Sequence, residues 1–596
     1  MKNLKKKAFT LVELLVVIAI IAILAVAGVV GYVVFTKKAA ESNDTSLVSQ
    51  LNEYMAAASS TDNINTVTDA RNILIEDGID LASLKLTAKG YKVAFDLAAK
   101  KFVKINSKNN PEGFSGKAED LFVFVTSESE VSTFTNAGYS VYLQNGYSAA
   151  SVSVKSGVDV GENAGVTAVA YTGTETGKEV TIRSNNDQCT LTINAPNDDV
   201  NYYGFAKVID VKDVKLTSLH IFGSANKLQV EKGHVEVEDT GIIFDVVQIG
   251  TTEGTQGQGA SITNKGFIAA ASLSNHTGAT EEQKTAIKNA VAAQTGSKAI
   301  GGDYEIDSLA RIEAFRDAVN AGNNFSGITV KLTSNIVLED GWKPIGEGSR
   351  KVGAQTLADG VTAFFAGTFD GNNKTISNLN NKGFVPTAAR LVKDDGYDTY
   401  AYGLFALVNG GTIKDLTLNN VDIDTNTRGT ALGDSVGALV GYSAGATISN
   451  VTVNGIVAGY DAVGGIVGRA RGTSLTMSNC TNNATVNGIR VTAGIVGALG
   501  ETAADNTLTN CKNTGAITVE YITDTEHKSQ GYYFAAGIAN LNGVRSSTKG
   551  NYILANCTNT GTVVNAGSYF QDQANHKGDI YTTLNDTPID GKVIVG

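Results

Sequence analysis

A glycine-flanked apolar motif recurs along the C-terminal half of this chain. It reads Gly403-Leu404-Phe405, Gly437-Ala438-Leu439-Val440-Gly441, Gly464-Gly465-Ile466-Val467-Gly468, Gly494-Ile495-Val496-Gly497 and Gly537-Ile538. A second series is interleaved with it: Ser377-Asn378-Leu379, Lys414-Asp415-Leu416, Ser449-Asn450-Val451, Ser478-Asn479-Cys480, Asn510-Cys511 and Asn556-Cys557. Alternating strands such as Val451-Thr452-Val453 and Ala484-Thr485-Val486 follow several of these units. The period is about 30 residues, the range in which each unit buries its apolar face only by stacking on its neighbours. Glycine permits tight corners, the apolar residue of each triplet stacks inside, and Asn at repeated corners can form a ladder between coils. Together these predict a parallel β-helix.

The rest of the composition agrees. Sixty-five Gly against five Pro in 596 residues indicate many turns between short strands. In the middle of the chain Ile193, Val211, Val230 and Val247 fall 18, 19 and 17 residues apart, each in an alternating strand, as the rungs of a second, more degenerate solenoid would. Three of the four cysteines (Cys480, Cys511 and Cys557) take the position filled by Leu379, Leu416 and Val451 in earlier units. They therefore read as small core residues, with Cys189 apart from them. The five histidines (His220, His234, His276, His527 and His576) show no HExxH and no pair at ligand spacing. A net charge of −11 and the lack of a basic patch exclude a nucleic-acid-binding body.

The N-terminus adds a separate constraint. Lys5-Lys6-Lys7-Ala8-Phe9 leads into an apolar stretch that continues to Phe35, long enough to cross a bilayer as a helix. Lys2, Lys5, Lys6 and Lys7 hold the leading end in the cytoplasm, with only Lys37 and Lys38 beyond the stretch. One carboxylate, Glu13, interrupts it, and an ionised group at that depth needs a partner and a purpose.

This stretch resembles the N-terminal signal of type IV pilins and type II secretion pseudopilins. The resemblance implies a leader Met1–Ala8, removal of it by a prepilin peptidase between Ala8 and Phe9, and methylation of the new terminus at Phe9. It implies also that Glu13 pairs with the Phe9 ammonium of a neighbouring subunit during assembly. The family usually has Gly before the cut, where this chain has Ala8. The repeats, with Trp342-Lys343-Pro344-Ile345-Gly346 and Phe369-Asp370-Gly371-Asn372 ahead of them, resemble the GLUG repeats of bacterial surface proteins over roughly residues 303–565.

The expected fold class is mainly β: a long N-terminal α-helix with a small α+β pilin head, followed by parallel β-helix modules. The segments are a leader (1–8), an N-terminal helix (9–58, transmembrane over 9–35), a small head (59–108) and a linker (109–118). A β-rich module (119–275), a helical connector (276–302), the GLUG-type β-helix (303–575) and a tail (576–596) follow. Thr66–Asp77 reads as a helix in the head, and Tyr91–Ile105 as a hairpin. Helices at Ser127–Asn136 and from Asp307 or Ser308, the latter presenting Leu309, Ile312, Phe315 and Val319, are placed to cover the open ends of the two modules. Thr280 with Gln283 forms a capping-box pattern.

No nucleophile elbow, phosphate loop or metal triad is present, so no cofactor and no enzyme activity is expected. Asp370, Asp415, Asp422, Asp424, Asp434, Asp461 and Asp505 recur as no pair, whereas polysaccharide cleavage on a β-helix needs paired carboxylates, or a carboxylate cluster with calcium and an Arg or Lys base, on one exposed sheet. Tyr397, Tyr400, Tyr402, Tyr532, Tyr533 and Tyr569 interrupt the repeats and either contact a ligand or pack loops onto the solenoid. The expectation is a structural subunit of a type IV pilus-like filament, in the cytoplasmic membrane before assembly and at the cell surface afterwards. Its partners are prepilin peptidase, other pilin subunits and the assembly machinery. The alternative is a minor or tip pilin that acts as an adhesin for glycans or matrix proteins, with a host or glycan ligand as partner; a pseudopilin and a polysaccharide-degrading enzyme follow behind.

Overall fold

The computed structural model describes residues 44–58, 64, 66–76, 79 and 92–595, the last range without 106–109, 251–259, 276–279, 347–362, 385–391, 426–434, 520–533, 543–550, 566–576, 585–592 and some shorter loop segments. The chain divides into two compact units. One runs to Ser297, and the other holds Lys298 onward together with Asp239–Ile242 and Gly266–Ala270. The predicted long helix falls partly outside the described residues, which begin with α1 (Asp44–Ala58). Among the described residues no helix is long and apolar enough to cross a membrane.

In the first unit, α1 spaces Leu47, Leu51 and Met55 four apart, and all three are buried, as one helical face requires. α2 (Val67–Glu76) buries Val67, Ala70 and Leu74. Its start is closed reciprocally: Asp69 N donates to Thr66 Oγ1 (3.0 Å) and Thr66 N to Asp69 Oδ2 (2.7 Å). β1 (Lys92–Asp96) and β2 (Lys101–Ile105) form the expected antiparallel hairpin, with Phe95 opposite Phe102. The segment read as a linker instead contributes a strand, β3 (Pro111–Glu112), which pairs with the end of β2. On its other side β1 pairs with β4 (Leu121–Val125), Phe95 facing Phe122. The helices, the hairpin and the module that follows therefore share one sheet and one core, in which Phe95, Phe102, Phe124 and Tyr142 pack with Leu51 and Met55. A two-stranded hairpin has open edges, and pairing them removes that liability.

From β4 onward the coils of this module pair in parallel, as between β4 and the strand Ser140–Leu143 and on to Val158–Val160 and Glu179–Asn185. β4 is followed by α3 (Glu128–Asn136), which buries Val131 and Phe134 at the predicted site, and by β5 (Ser140–Leu143). Later coils build two ladders. In one, Ile193 faces Val211 and Val211 faces Val230, and the strand holding Val247 lies beside that of Val230. The apolar spacing read from the sequence is thus a coil repeat. The other ladder passes through Val141, Val158, Ile182, Tyr202, Ile221 and Val237 in direct register. Each buried aliphatic side chain in such a column contributes about 1.5–3 kcal/mol. α4 (Glu281–Ala292) carries the expected capping box, Gln283 N donating to Thr280 Oγ1 (3.2 Å) and Thr280 N to Gln283 Oε1 (2.8 Å).

In the second unit, α5 (Leu309–Asn320) buries Ile312, Phe315 and Val319. Phe315 sits among Phe325, Phe365, Phe369 and Phe405, with ring centroids 4.9–6.5 Å away. The coils beyond it carry three parallel ladders. One comprises Thr368–Ser377, Thr412–Asp424 and Thr447–Gly459, and later coils break the same face into shorter strands. The other two begin at Ala401–Tyr402 and Phe405–Val408. The glycine-flanked triplets are the corners between them: Ser435–Gly437 ends one strand and Val440–Ser443 starts the next. A Cβ on Gly464 would collide with the Val467 carbonyl.

The Asn series marks a second corner. Asp415, Asn450, Asn479, Asn510 and Asn556 all have φ between 52° and 55°, a left-handed conformation that Asn and Asp tolerate best after glycine. Their side chains form the expected ladder: Asn450 Nδ2 donates to Asp415 Oδ1 (2.7 Å), Asn479 to Asn450 (3.2 Å) and Asn510 to Asn479 (3.1 Å). Ser377-Asn378-Leu379 does not belong to this series. Ser377 faces Asn419, whereas Asp370 faces Lys414 and Lys374 faces Leu416, so the first unit is the Asp370–Asn373 bulge and Asn378 turns a different corner. Leu379 is therefore not equivalent to the cysteines, although Leu416 and Val451 are in register with each other. Cys480, Cys511 and Cys557 are buried free thiols. The hydrogen bond with Cys480, helped by burial and opposed by the hydrogen bond with Cys557, pushes the Cys511 thiol up to about 12. Inside the coils a second amide ladder joins Asn482 to Asn513 and Asn513 to Asn559, each at 2.8 Å.

Candidate functional site

On the outer face of the first unit, residues alternate with the buried column and form a column of their own. Phe124, Tyr142, Asp159, Arg183 and Tyr203 follow one another in register. Its start lies beneath the helices and hairpin. There Asp159 is fully buried, with Oδ1 lacking a hydrogen-bond partner. Burial pushes its carboxyl up to about 7, against the pull of Arg183 and with a smaller push from Asp69.

Further along, the column emerges half-exposed. The Arg183 guanidinium lies 5.0 Å from the centre of the Tyr203 ring. Tyr203 and Phe222 stack with centroids 4.9 Å apart and planes 8° from parallel, so the rings cover one another's faces. Beyond them three coils bring polar groups together. The stretch Gly233-His234-Val235-Glu236-Val237-Glu238 alternates, its valines inward and its His and Glu outward, and the ladder sets Glu236 opposite His220. His220 Nδ1 lies 2.7 Å from Glu238 Oε1 and 3.6 Å from Glu236 Oε2. Lys265 Nζ bridges both carboxylates, at 2.5 Å from Glu236 and 3.2 Å from Glu238.

Burial alone would raise the Glu236 carboxyl, but the hydrogen bond and positive charge of Lys265 hold it below its ordinary value. The hydrogen bond to Glu236 likewise raises the Lys265 ammonium despite burial. Burial lowers His234, whose Nδ1 meets Ser261 Oγ at 2.6 Å and whose Nε2 meets Thr263 Oγ1 at 3.2 Å. His220, Glu236 and Glu238 can each offer one atom to a metal ion, and those atoms lie within 4.8 Å of one another. Reading the histidines as scattered missed this juxtaposition. His220 and the His234–Glu238 segment stand on hydrogen-bonded strands of successive coils, and only the coil register, which the sequence reading indexed on the opposite ladder, shows it.

The residues singled out for processing and assembly (Ala8, Phe9 and Glu13) lie outside the described residues, as do Tyr400, Tyr532, Tyr533 and Tyr569. Tyr397 is in a short antiparallel pairing with Val392–Asp394. Tyr402 is buried, its hydroxyl donating to the carbonyls of Trp342 (2.7 Å) and Asn380 (3.1 Å), so it holds the fold and offers no contact surface. Asp434 lies outside the described residues, and several of the other acids of the repeats are held by neighbours. Asp370 pairs with Lys414, Asp422 with Lys382, and Asp461 with both Arg469 and Arg490.

The comparisons with known proteins bear on the N-terminus most directly. The prokaryotic N-terminal methylation motif matches residues 3–29. The chain therefore carries a prepilin-type signal, and Ala8, Phe9 and Glu13 fall within it. A stretch of 231 residues is 30% identical to halomucin of Haloquadratum walsbyi, covering 38% of this chain and 2% of that protein; the chain thus spans a small fraction of that relative's length. A crystal structure from Bacteroides ovatus assigned as an immunoglobulin A1 protease aligns at 15% identity over 47% of this chain and 84% of that one, with a TM-score of 0.26. A likeness of that size bears on neither fold nor activity here.

Proposed function

We propose that the chain is a structural subunit of a type IV pilus-like filament, processed by a prepilin peptidase between Ala8 and Phe9 and assembled through its N-terminal helix. The methylation motif over residues 3–29 supports this reading, and in it Glu13 is the anion for the new terminal ammonium of a neighbouring subunit. A charge left unpaired in an apolar filament core is costly, and pairing between neighbours also sets their axial register. In this reading α1, α2 and the β1–β2 hairpin are the pilin head, the C-terminal coils are GLUG-type repeats, and the parallel modules are displayed at the cell surface without catalysis. The second reading is a minor or tip subunit with an adhesive role. It is favoured by the size of the body beyond the head, about 490 of 596 residues, which would crowd every position of a tightly packed fibre.

Filaments sheared from cells and sequenced from their N-termini test the proposal. An abundant subunit beginning at N-methylated Phe9 supports the major-subunit reading, and the same terminus at trace level supports the tip reading. A chain that stays in the membrane fraction with Met1–Ala8 intact rules out both.

A further inference from the structure

We propose that His220, Glu236 and Glu238 form a site for a divalent transition metal of the Zn²⁺ type, with Lys265 as the built-in cation that the metal displaces. One imidazole and two carboxylates are a donor set that suits Zn²⁺, with a fourth position left for water. Zn–N and Zn–O bonds of about 2.0–2.2 Å in a tetrahedron put neighbouring donor atoms roughly 3.3 Å apart. The separations of 2.7 and 3.6 Å from His220 Nδ1 to the two carboxylates bracket that value. The donors stand on paired strands of successive coils, so the backbone holds them at fixed spacing whether or not an ion is present.

A second observation points the same way. The Lys265 ammonium already bridges Glu236 and Glu238, which shows that this spot accommodates positive charge and that both carboxylates are turned toward it. Lys265 reaches in from the rim on a flexible stem, and its side chain is 37% exposed. It can swing to solvent without disturbing a strand. The groups around the donors are oriented too. His234 Nε2 lies 3.8 Å from the far oxygen of Glu236, and the His234 ring is itself held by Ser261 and Thr263. Phe222 flanks His220, with ring centroids 6.4 Å apart. Coordination through Nδ1 replaces the contact that atom now makes with Glu238 and leaves any imidazole proton on Nε2.

The test uses the full chain in detergent, stripped with a chelator, and measures Zn²⁺ stoichiometry and affinity by equilibrium dialysis. The wild type is expected to hold one more equivalent than His220→Ala. Glu238→Gln should weaken that equivalent at least tenfold, and Lys265→Met should tighten it about tenfold by removing the competing ammonium. Circular dichroism of each variant confirms that the coils are retained. Equal stoichiometry in wild type and His220→Ala overturns the site and assigns any bound metal elsewhere, the buried thiols included. Unchanged or weaker binding in Lys265→Met overturns the displacement.

Discussion

Asn52 grips the backbone of Phe102 with both ends of its amide: Phe102 N donates to Oδ1 (2.6 Å) and Asn52 Nδ2 donates to the Phe102 carbonyl (3.0 Å). β2 pairs with β1 on one side and with β3 only at Lys104 and Ile105, so Phe102 presents an unpaired strand edge that a helix side chain satisfies. Asn52→Ala removes two hydrogen bonds at a partly buried edge. It should lower stability by about 1–3 kcal/mol. Amide exchange at Phe102 should accelerate more than exchange at Val141 or Val158. Equal acceleration at all three positions would mean that the helix is not fastened here.

Phe315 anchors the aromatic cluster beneath α5. Truncating it leaves a cavity among Phe325, Phe365, Phe369 and Phe405, and Phe315→Ala should cost about 3–5 kcal/mol. Phe315→Leu should cost less than half of that. Denaturant unfolding of the two variants checks the order.

Asp159 makes stability depend on pH. Its carboxyl is raised from 3.8 to about 7, so the folded chain binds the proton more tightly than the unfolded one. This contribution is complete below the unfolded value, falls as pH rises through the window from about 4 to about 7, and is gone above it. Asp159→Asn keeps the shape without the charge. The variant should match the wild type near pH 4 and exceed it at pH 8 by about 4 kcal/mol. Melting temperatures at the two pH values provide the comparison, and a constant difference between them would assign the effect to packing.

The corner ladder separates conformation from hydrogen bonding. Asn479 has φ near 52° and bonds to both Asn450 and Asn510. Asn479→Gly keeps the conformation and loses the bonds, whereas Asn479→Ala loses both. The alanine variant should be less stable than the glycine variant by about 1 kcal/mol. A reversal would show that chain entropy outweighs backbone strain at this corner.

The parts of the fold that could be read in the sequence were those written in local periodicity. The coil step of Ile193, Val211 and Val230, the corners at the glycine triplets and the capping box at Thr280 all rest on residues close in sequence or evenly spaced. The pairing of β1 with β4 through a segment rich in turn formers could not be read that way, because Pro111 and Gly113 signal a loop whether or not the chain then meets a strand edge. The ladder offset at Asn378 has a similar cause. Two corners of one coil carry the same residue type, and only hydrogen-bond register tells them apart. The polar cluster at His220 was hidden for a third reason: the apolar spacing identifies inward residues, and the outward ones inherit their neighbours from a register that varies between coils.

That variation in step bears on how such a chain can change over time. Asn479 reaches Asn450 across 29 residues, and Asn513 reaches Asn559 across 46, yet each amide finds its counterpart. A coil thus tolerates segments of very different length between its fixed corners. Mutation can lengthen, shorten or replace what hangs from a corner while the register beneath stays as it was. A protein built this way can diversify the face it shows to its surroundings without having to evolve a new fold.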